Sequence, residues 1–242
     1  MPLCIIVPCY NEANRFPQEQ FKQFLSKQTA VQLVLVDDGS TDNTLTLLTA
    51  LSAHFPQQVE ILALSENKGK ARAVQAGMQL ALQKASCDRF AYLDADLSTS
   101  LEECTLLGEK INAETRFVFG SRILKTDNRI ERKWYRFLIG RVIATVISKM
   151  LGISVYDTQC GCKILDRKLI PIAFDAPFSS RWLFDVEIFF RLINTLGKKQ
   201  MIAQSKEVPL DQWLDTEDSR VKFSYMFQLW LDLAIIYRRY KQ

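Results

Sequence analysis

Leu3-Cys4-Ile5-Ile6-Val7-Pro8-Cys9-Tyr10-Asn11-Glu12 is a short apolar run that closes on polar residues. Residues 3–8 do not alternate between apolar and polar, as expected of a strand buried on both faces of a sheet. The same figure returns through the first half. Residues 32–37 run into Asp37-Asp38-Gly39-Ser40-Thr41-Asp42, and residues 59–64 are followed by Asn67-Lys68-Gly69-Lys70. Residues 89–93 precede Asp94-Ala95-Asp96, and residues 116–119 precede Gly120-Ser121-Arg122. Helical stretches fill the intervals. Residues 18–27 form one, and residues 70–84 form another with Val74, Met78, Ala81, Leu82 and Ala85 on one stripe. Ser40 or Thr41 caps a helix reaching about residue 53, with Asp42 in its first turn. Ser100-Leu101-Glu102-Glu103 matches a capping box. This alternation predicts an α/β fold, a mainly parallel sheet flanked by helices. Ligands of such sheets gather beyond the carboxyl ends of the strands, so the five polar motifs should converge on one edge.

The second half is less regular. A long helix is expected over residues 132–151, a turn or short strand at 159–165, a helix at 183–195, a strand near 201–208 and a terminal helix from about residue 219. No repeat, low-complexity segment or linker divides the sequence, so residues 1–242 are expected to form one domain.

Composition narrows the chemistry. A 48% hydrophobic content over 242 residues is enough for a sizeable core. The start has no basic region and its apolar run ends at Pro8, so no signal peptide is read there. The most apolar long stretches, 137–155 and 225–237, are interrupted by Arg141, Lys149 and Asp232, which argues against a spanning helix. The expectation is a cytoplasmic chain, soluble or attached to a membrane surface. The six cysteines form no CxxC pair, which argues against zinc. Cys160-Gly161-Cys162 leaves a redox pair open beside the simpler reading of reduced thiols. The single histidine, His54, lies away from every motif, which excludes histidine-based triads and metal sites. A metal here must take oxygen ligands, which points to Mg²⁺ or Mn²⁺. Walker A and GxGxxG patterns are absent, and no nucleic-acid partner is expected. The net charge of +4 is uneven, with eight basic residues (116, 122, 125, 129, 132, 133, 136 and 141) against Asp127 and Glu131. Such a patch suits phosphates or an anionic membrane; a solvated charged loop is the other reading.

Asp94 and Asp96 flank Ala95 just past a strand, where two carboxylates can share a divalent cation with a diphosphate. Alone, that pattern is common. Asp38 can accept hydrogen bonds from a base or ribose, or serve a helix cap and turn. Tyr10 suits either stacking on a base or core packing, and Glu12 can bond to a sugar hydroxyl. Lys70 opens a helix, a position suited to phosphate.

Together these residues carry a resemblance. The ordered string Val7-Pro8-Cys9-Tyr10-Asn11-Glu12, Asp37 to Asp42, Asn67 to Lys70, Asp94-Ala95-Asp96-Leu97 and Gly120-Ser121-Arg122 resembles the inverting glycosyltransferases of family 2, with the GT-A fold. Asp157-Thr158-Gln159-Cys160-Gly161-Cys162-Lys163 and Arg181-Trp182-Leu183-Phe184-Asp185-Val186-Glu187 look like the polyprenyl (dolichyl) phosphate β-glucosyltransferase branch. Cys162 departs from the aromatic usual there, the N-terminal anchor of the eukaryotic glucosyltransferases is not seen, and residues 213–222 match loosely, keeping Ser219-Arg220.

The resemblance implies that Pro8, Tyr10, Glu12, Asp38, Lys70, Asp94 and Ala95 bind the nucleotide sugar. It implies that Asp94 and Asp96 hold Mg²⁺ or Mn²⁺, and that Arg122, Arg132 and Arg136 take an acceptor phosphate. Asp96 and Asp185 would be catalytic. Residues 1–125 would form the nucleotide-sugar half and residues 126–242 the acceptor half, the latter with amphipathic C-terminal helices. The implied reaction moves a hexose, glucose from UDP-glucose first, to a polyprenyl phosphate at the cytoplasmic face of a membrane. A lipid phosphate is already ionised and needs positioning arginines more than a base; a sugar hydroxyl needs a base. Asp185 is the first candidate for that base, with bonding at a helix start as its other reading.

Residues 132–151 place Leu138/Ile139, Val142/Ile143, Val146/Ile147 and Met150/Leu151 on one side. That side either contacts a membrane surface or packs in the core. The stripe Phe223, Met226, Phe227, Trp230, Leu231 and Ala234 leaves the same choice for the terminal helix. Alternatives are mannose transfer from GDP-mannose, a glycan hydroxyl acceptor, a sugar-1-phosphate nucleotidyltransferase, and a non-catalytic nucleotide-sugar-binding module. The absence of glycine from residues 9–15 disfavours the nucleotidyltransferase.

Overall fold

In the computed structural model, described for residues 2–84, 86–123, 129–131, 134–214 and 225–241, the apolar runs become the strands of one sheet. Chain order is β1 (Leu3–Cys9), α1 (Gln18–Lys27), β2 (Val31–Asp37), α2 (Thr44–His54), β3 (Val59–Ala63), α3 (Lys70–Lys84), β4 (Arg89–Leu93), α4 (Leu101–Gly108) and β5 (Phe117–Ser121). There follow β6 (Arg129–Glu131), α5 (Trp134–Leu151), β7 (Cys162–Asp166), α6 (Ile170–Phe174), α7 (Phe184–Leu196), α8 (Lys198–Ala203), β8 (Ser205–Pro209), β9 (Gln212–Leu214) and α9 (Tyr225–Tyr240). The main sheet has the order β3-β2-β1-β4-β7-β5-β8. Its pairings are parallel except at β7, which runs antiparallel to both β4 and β5. The expected mainly parallel sheet flanked by helices is therefore present, and strands from both halves of the chain share it.

Side chains of a strand point alternately to opposite faces, and this alternation splits the core into two layers. Cys4, Ile6, Val34, Val36, Phe90, Tyr92, Phe117 and Phe119 face α3, α5, α6, α7 and α9. Leu3, Ile5, Val7, Leu33, Leu35, Ala91, Leu93 and Val118 face α1, α2 and α4. Each fully buried Leu, Ile or Phe contributes about 1.5–3 kcal/mol of transfer free energy. Gly77 lets α3 lie close on β1 and β2: a Cβ there would stand 2.6 Å from Ile6 Cγ2 and 2.8 Å from Val36 Cγ2.

Several boundaries differ from the sequence reading, for local reasons. The helix assigned a Ser40 or Thr41 cap starts at Thr44, because those polar side chains are used elsewhere. Ser40 Oγ accepts from the Asn11 N–H at 3.0 Å, and Asp42 accepts from the N–H groups of Ala13 and Thr44. The capping box at Ser100 is half made: Ser100 Oγ accepts from the Glu103 N–H, but Glu103 turns its carboxylate to the N–H groups of Asp211 and Gln212. The strand expected from residue 201 begins at Ser205, because Gly197 at φ 81° ends α7 and a short helix, α8, intervenes. The turn or short strand at 159–165 proves to be β7, an interior strand of the sheet. The expected start of the terminal helix near Ser219 lies outside the described residues.

α5 buries Ile143, Ile147 and Leu151 in the core, so that half of its apolar side belongs to packing, while Val142 is exposed. In α9 the inward stripe is Leu229, Asp232, Leu233 and Ile236. Trp230, Leu231 and Ala234, which the sequence put on one stripe, point outward together with Ile235. Among the described residues, no helix is long and apolar enough to cross a membrane.

Candidate active site

β4 ends at Leu93, and the chain turns through Asp94-Ala95-Asp96 with Leu97 at φ 50°. The Leu97 N–H donates to the Asp94 carbonyl at 3.2 Å, and Asp96 Oδ1 accepts from the N–H and hydroxyl of Ser98 at 3.0 and 2.9 Å. The α3 N-terminus delivers Lys70, whose Nζ pairs with Asp94 Oδ1. Burial alone would favour a neutral Lys70 amine, but the nearby carboxylates of Asp94, Asp185 and Asp96 outweigh it and raise its pKa above the usual lysine value. On the other side of Asp94 lies Gly161. A Cβ there would stand 2.1 Å from Asp94 Oδ2, so any larger residue would have to push the Asp94 carboxylate aside. Gly161 precedes β7, whose antiparallel course starts it at the edge where the parallel strands end: Cys162 pairs with Leu93.

Beneath this turn is a buried charged network. Lys163, with no exposed surface, donates to Asp185 Oδ1 and to the Cys160 carbonyl at 2.7 Å. The Tyr92 hydroxyl donates to the same Asp185 oxygen. Burial and the Asp185 charge push the Tyr92 pKa well up, so it remains a donor. Asp185 is thus held by two donors in the first turn of α7, while its charge acts on Lys70 above.

Beside this turn, β1 and β2 present the other predicted residues. Pro8 pairs with Val36 near the ends of both strands, and Tyr10 is half-buried just beyond β1. Glu12 is buried and gripped by Arg15, whose Nη2 donates to Oε1 at 2.8 Å. Asp38 is also buried; its carboxylate accepts from the N–H groups of Lys68 and Gly69 at 2.9 and 2.8 Å. Burial raises its pKa, and those N–H groups draw it partly back. Asp38 therefore ties the turn that leads into α3 to the end of β2, and does not cap the helix that follows it in sequence. Asp37 Oδ1 is buried with no hydrogen-bond partner among the described residues.

Arg122 follows β5 and forms a two-pronged pair with Asp157: Nε to Oδ2 at 2.6 Å and Nη2 to Oδ1 at 2.9 Å. Its guanidinium lies 5.2 Å from the Trp213 ring centroid. Arg132 and the Arg136 side chain lie outside the described residues. All six cysteines are free and buried, and burial pushes the Cys160 thiol up to about 12, which leaves it protonated and unreactive.

A divalent cation is implied by the pattern at Asp94, and the residues fit one. The donor set is oxygen only, and Lys70 is already drawn onto it, which marks a surplus of negative charge. No third acidic, histidine or cysteine ligand joins the pair among the described residues. That suits Mg²⁺ or Mn²⁺, which take one or two carboxylates and complete their shell with phosphate and water. Sequence reasoning passed over Asp157, Gly161 and Lys163 as individual site residues. The signals for Lys163 were its place at the end of the run from Asp157 and a charge inside an otherwise apolar strand.

Comparison with known proteins gives the family and the fold. The sequence profile "Glycosyl transferase family 2" matches residues 4–171. The dolichyl-phosphate beta-glucosyltransferase ALG5D of Trichomonas vaginalis is 30% identical over 96% of this chain and 73% of its own. The dolichyl-phosphate beta-glucosyltransferases of Drosophila melanogaster and Homo sapiens are 28% and 26% identical, over 99% and 98% of this chain and 76% and 75% of theirs. Among solved structures, mannosyl-3-phosphoglycerate synthase from Rubrobacter xylanophilus aligns with a TM-score of 0.72 at 15% identity, over 100% of this chain and 75% of its own. Glucosyl-3-phosphoglycerate synthase from Mycobacterium tuberculosis, crystallised with Mn²⁺, UDP-glucose and phosphoglyceric acid, aligns with a TM-score of 0.70 at 17% identity, over 98% and 79%. The likeness to these two synthases is one of fold.

Proposed function

The chain belongs to glycosyl transferase family 2, and on that premise we propose that it moves glucose from UDP-glucose to a polyprenyl (dolichyl) phosphate, with inversion, at a membrane surface. The observation that carries this reading is the Asp94 turn, met by Lys70 from one side and Gly161 from the other at the edge where β1, β2 and β5 also end. The relatives' names supply the sugar and the acceptor.

In this mechanism residues 1–125 take the donor, with Pro8, Tyr10, Glu12 and Asp38 at its nucleoside and Lys70, Asp94, Ala95 and Asp96 at its diphosphate. Asp94 and Asp96 would hold Mg²⁺ or Mn²⁺, which when bound supplies neutralisation of the departing diphosphate. Residues 126–242, with Arg122, take the acceptor. Arg122 is aimed by Asp157 and, with Arg132 and Arg136, sets an acceptor phosphate oxygen against the anomeric carbon. The new carbon–oxygen bond forms as the bond to the β-phosphate breaks, and UDP leaves. The phosphate oxygen is already ionised, so no proton must be removed. The Asp185 carboxylate, held by Tyr92 and Lys163, then serves after Asp94 as a second charge that keeps Lys70 cationic beside the leaving group. The test is transfer of radiolabel from UDP-glucose into butanol-extractable lipid with polyprenyl phosphate and Mn²⁺ present. Label in the lipid is expected; none with any nucleotide sugar sinks the lipid-phosphate reading.

The membrane contact is assigned to α9. Trp230, Leu231 and Ile235 are 42%, 46% and 52% exposed on its outer side, with Arg238, Arg239 and Lys241 exposed at its end. An apolar face next to basic residues suits an anionic bilayer. The variant Trp230→Glu/Ile235→Glu is expected to lose co-sedimentation with anionic vesicles while its Tm stays close to the parent's. Undiminished sedimentation would remove α9 from the contact.

A further inference from the structure

We propose that Arg181 is a further donor-binding residue, whose guanidinium contacts the nucleoside end of the sugar nucleotide. This rests on the donor site proposed above. Arg181 lies in the turn before α7, far in sequence from the strand ends, yet its carbonyl accepts from the Ala71 N–H at 3.2 Å in the first turn of α3. Its stem crosses Gly69, φ 90°: a Cβ on Gly69 would meet Arg181 Cγ at 3.1 Å and Cβ and Cδ at 3.2 Å. The glycine leaves that space to the arginine. Lys70, the next residue, points to Asp94, while the Arg181 charge reaches Asp38 at the end of the neighbouring strand β2. The two cations thus divide between the two ends of a bound donor.

The turn itself is pinned. Glu187 Oε1 accepts from the N–H groups of Ser179 and Ser180 at 2.8 and 3.0 Å, and the Ser180 hydroxyl donates to Asp232 of α9 at 2.5 Å. Arg181, by contrast, is exposed and forms no ion pair among the described residues. A planar guanidinium so placed can stack on a base or donate to its carbonyls.

The experiment compares UDP, UMP and inorganic diphosphate binding, each with Mn²⁺, by calorimetry. Arg181→Met keeps the stem over Gly69 and removes the fork; it is expected to weaken UDP and UMP about tenfold each and diphosphate hardly at all. Arg181→Lys restores charge near Asp38 without the planar fork, and should recover only part of the loss. Full recovery in Arg181→Lys, parental affinity in Arg181→Met, or a loss confined to diphosphate would each overturn the inference. A parent that binds no nucleoside diphosphate would instead overturn the donor site, and this inference with it.

Discussion

Asp94→Asn is expected to lower glucosyl transfer by about two to three orders of magnitude while leaving the fold intact. The substitution keeps the shape of the side chain, so Gly161, whose chain passes against Asp94, is not displaced. What it removes is charge at the centre of the proposed diphosphate site. Lys70 loses its ion-pair partner and keeps only the more indirect fields of Asp185 and Asp96. An amide is also a poorer ligand for Mg²⁺ or Mn²⁺ than a carboxylate. The stability change should be small, because the pair is part exposed, at 22% and 37% of the two side chains, and such pairs contribute about 0–1 kcal/mol. Two measurements bear on this: turnover at saturating donor and acceptor, and the Mn²⁺ concentration giving half activity. Turnover within threefold of the parent would remove Asp94 from the reaction. Unchanged affinity for UDP with no turnover in the parent itself would point to a binding module.

The legible part of this protein is the part governed by strand ends. A buried parallel strand writes itself as a continuous apolar run, and its carboxyl end is where polar residues become useful, so β1 to β5 and the motifs after them could be read in order. The second half follows a different logic. β7 is antiparallel and interior, yet Cys162-Lys163-Ile164-Leu165-Asp166 carries a lysine as its second residue, and the segment reads as a turn or short strand. That lysine is compatible with burial because Asp185, 22 residues later, neutralises it. Likewise the outward stripe of α9 contains Trp230, Leu231 and Ile235, whereas its inward stripe contains Asp232. Periodicity finds an apolar stripe but does not decide whether that stripe packs in the core or faces out. Asp232 is admitted inside because the Ser180 hydroxyl and the Gln228 amide donate to it. Sequence patterns reveal faces; they do not reveal partners that meet only after folding.

Asp157→Asn is expected to cost about 3–5 kcal/mol of stability at neutral pH, seen as a fall in Tm of about 10 °C. Arg122 and Asp157 keep only 16% and 8% of their side chains exposed, so breaking the pair strands an arginine charge away from water. Burial alone would raise the Asp157 pKa, but the Arg122 guanidinium outweighs it and holds the carboxyl well below the usual carboxylate range. A carboxyl held low in the folded state stabilises the fold above its unfolded pKa, about 4. That contribution is lost progressively as the pH falls below this value toward the folded pKa. The parent should therefore lose stability in acid more steeply than Asp157→Asn, and the gap between them should narrow below about pH 4. Equal gaps at neutral and acid pH would show that the pair does not set the difference. The double variant Arg122→Met/Asp157→Asn removes both charges and keeps an acceptor for the Gln159 N–H, which Asp157 accepts at 3.1 Å. It should be more stable than Asp157→Asn alone, since a buried pair is costly to break but not to remove whole. Its acceptor KM should nevertheless stay high. Asp157 is the part of this pair that serves the fold, while Arg122, the residue it aims, is the one proposed to meet the incoming phosphate.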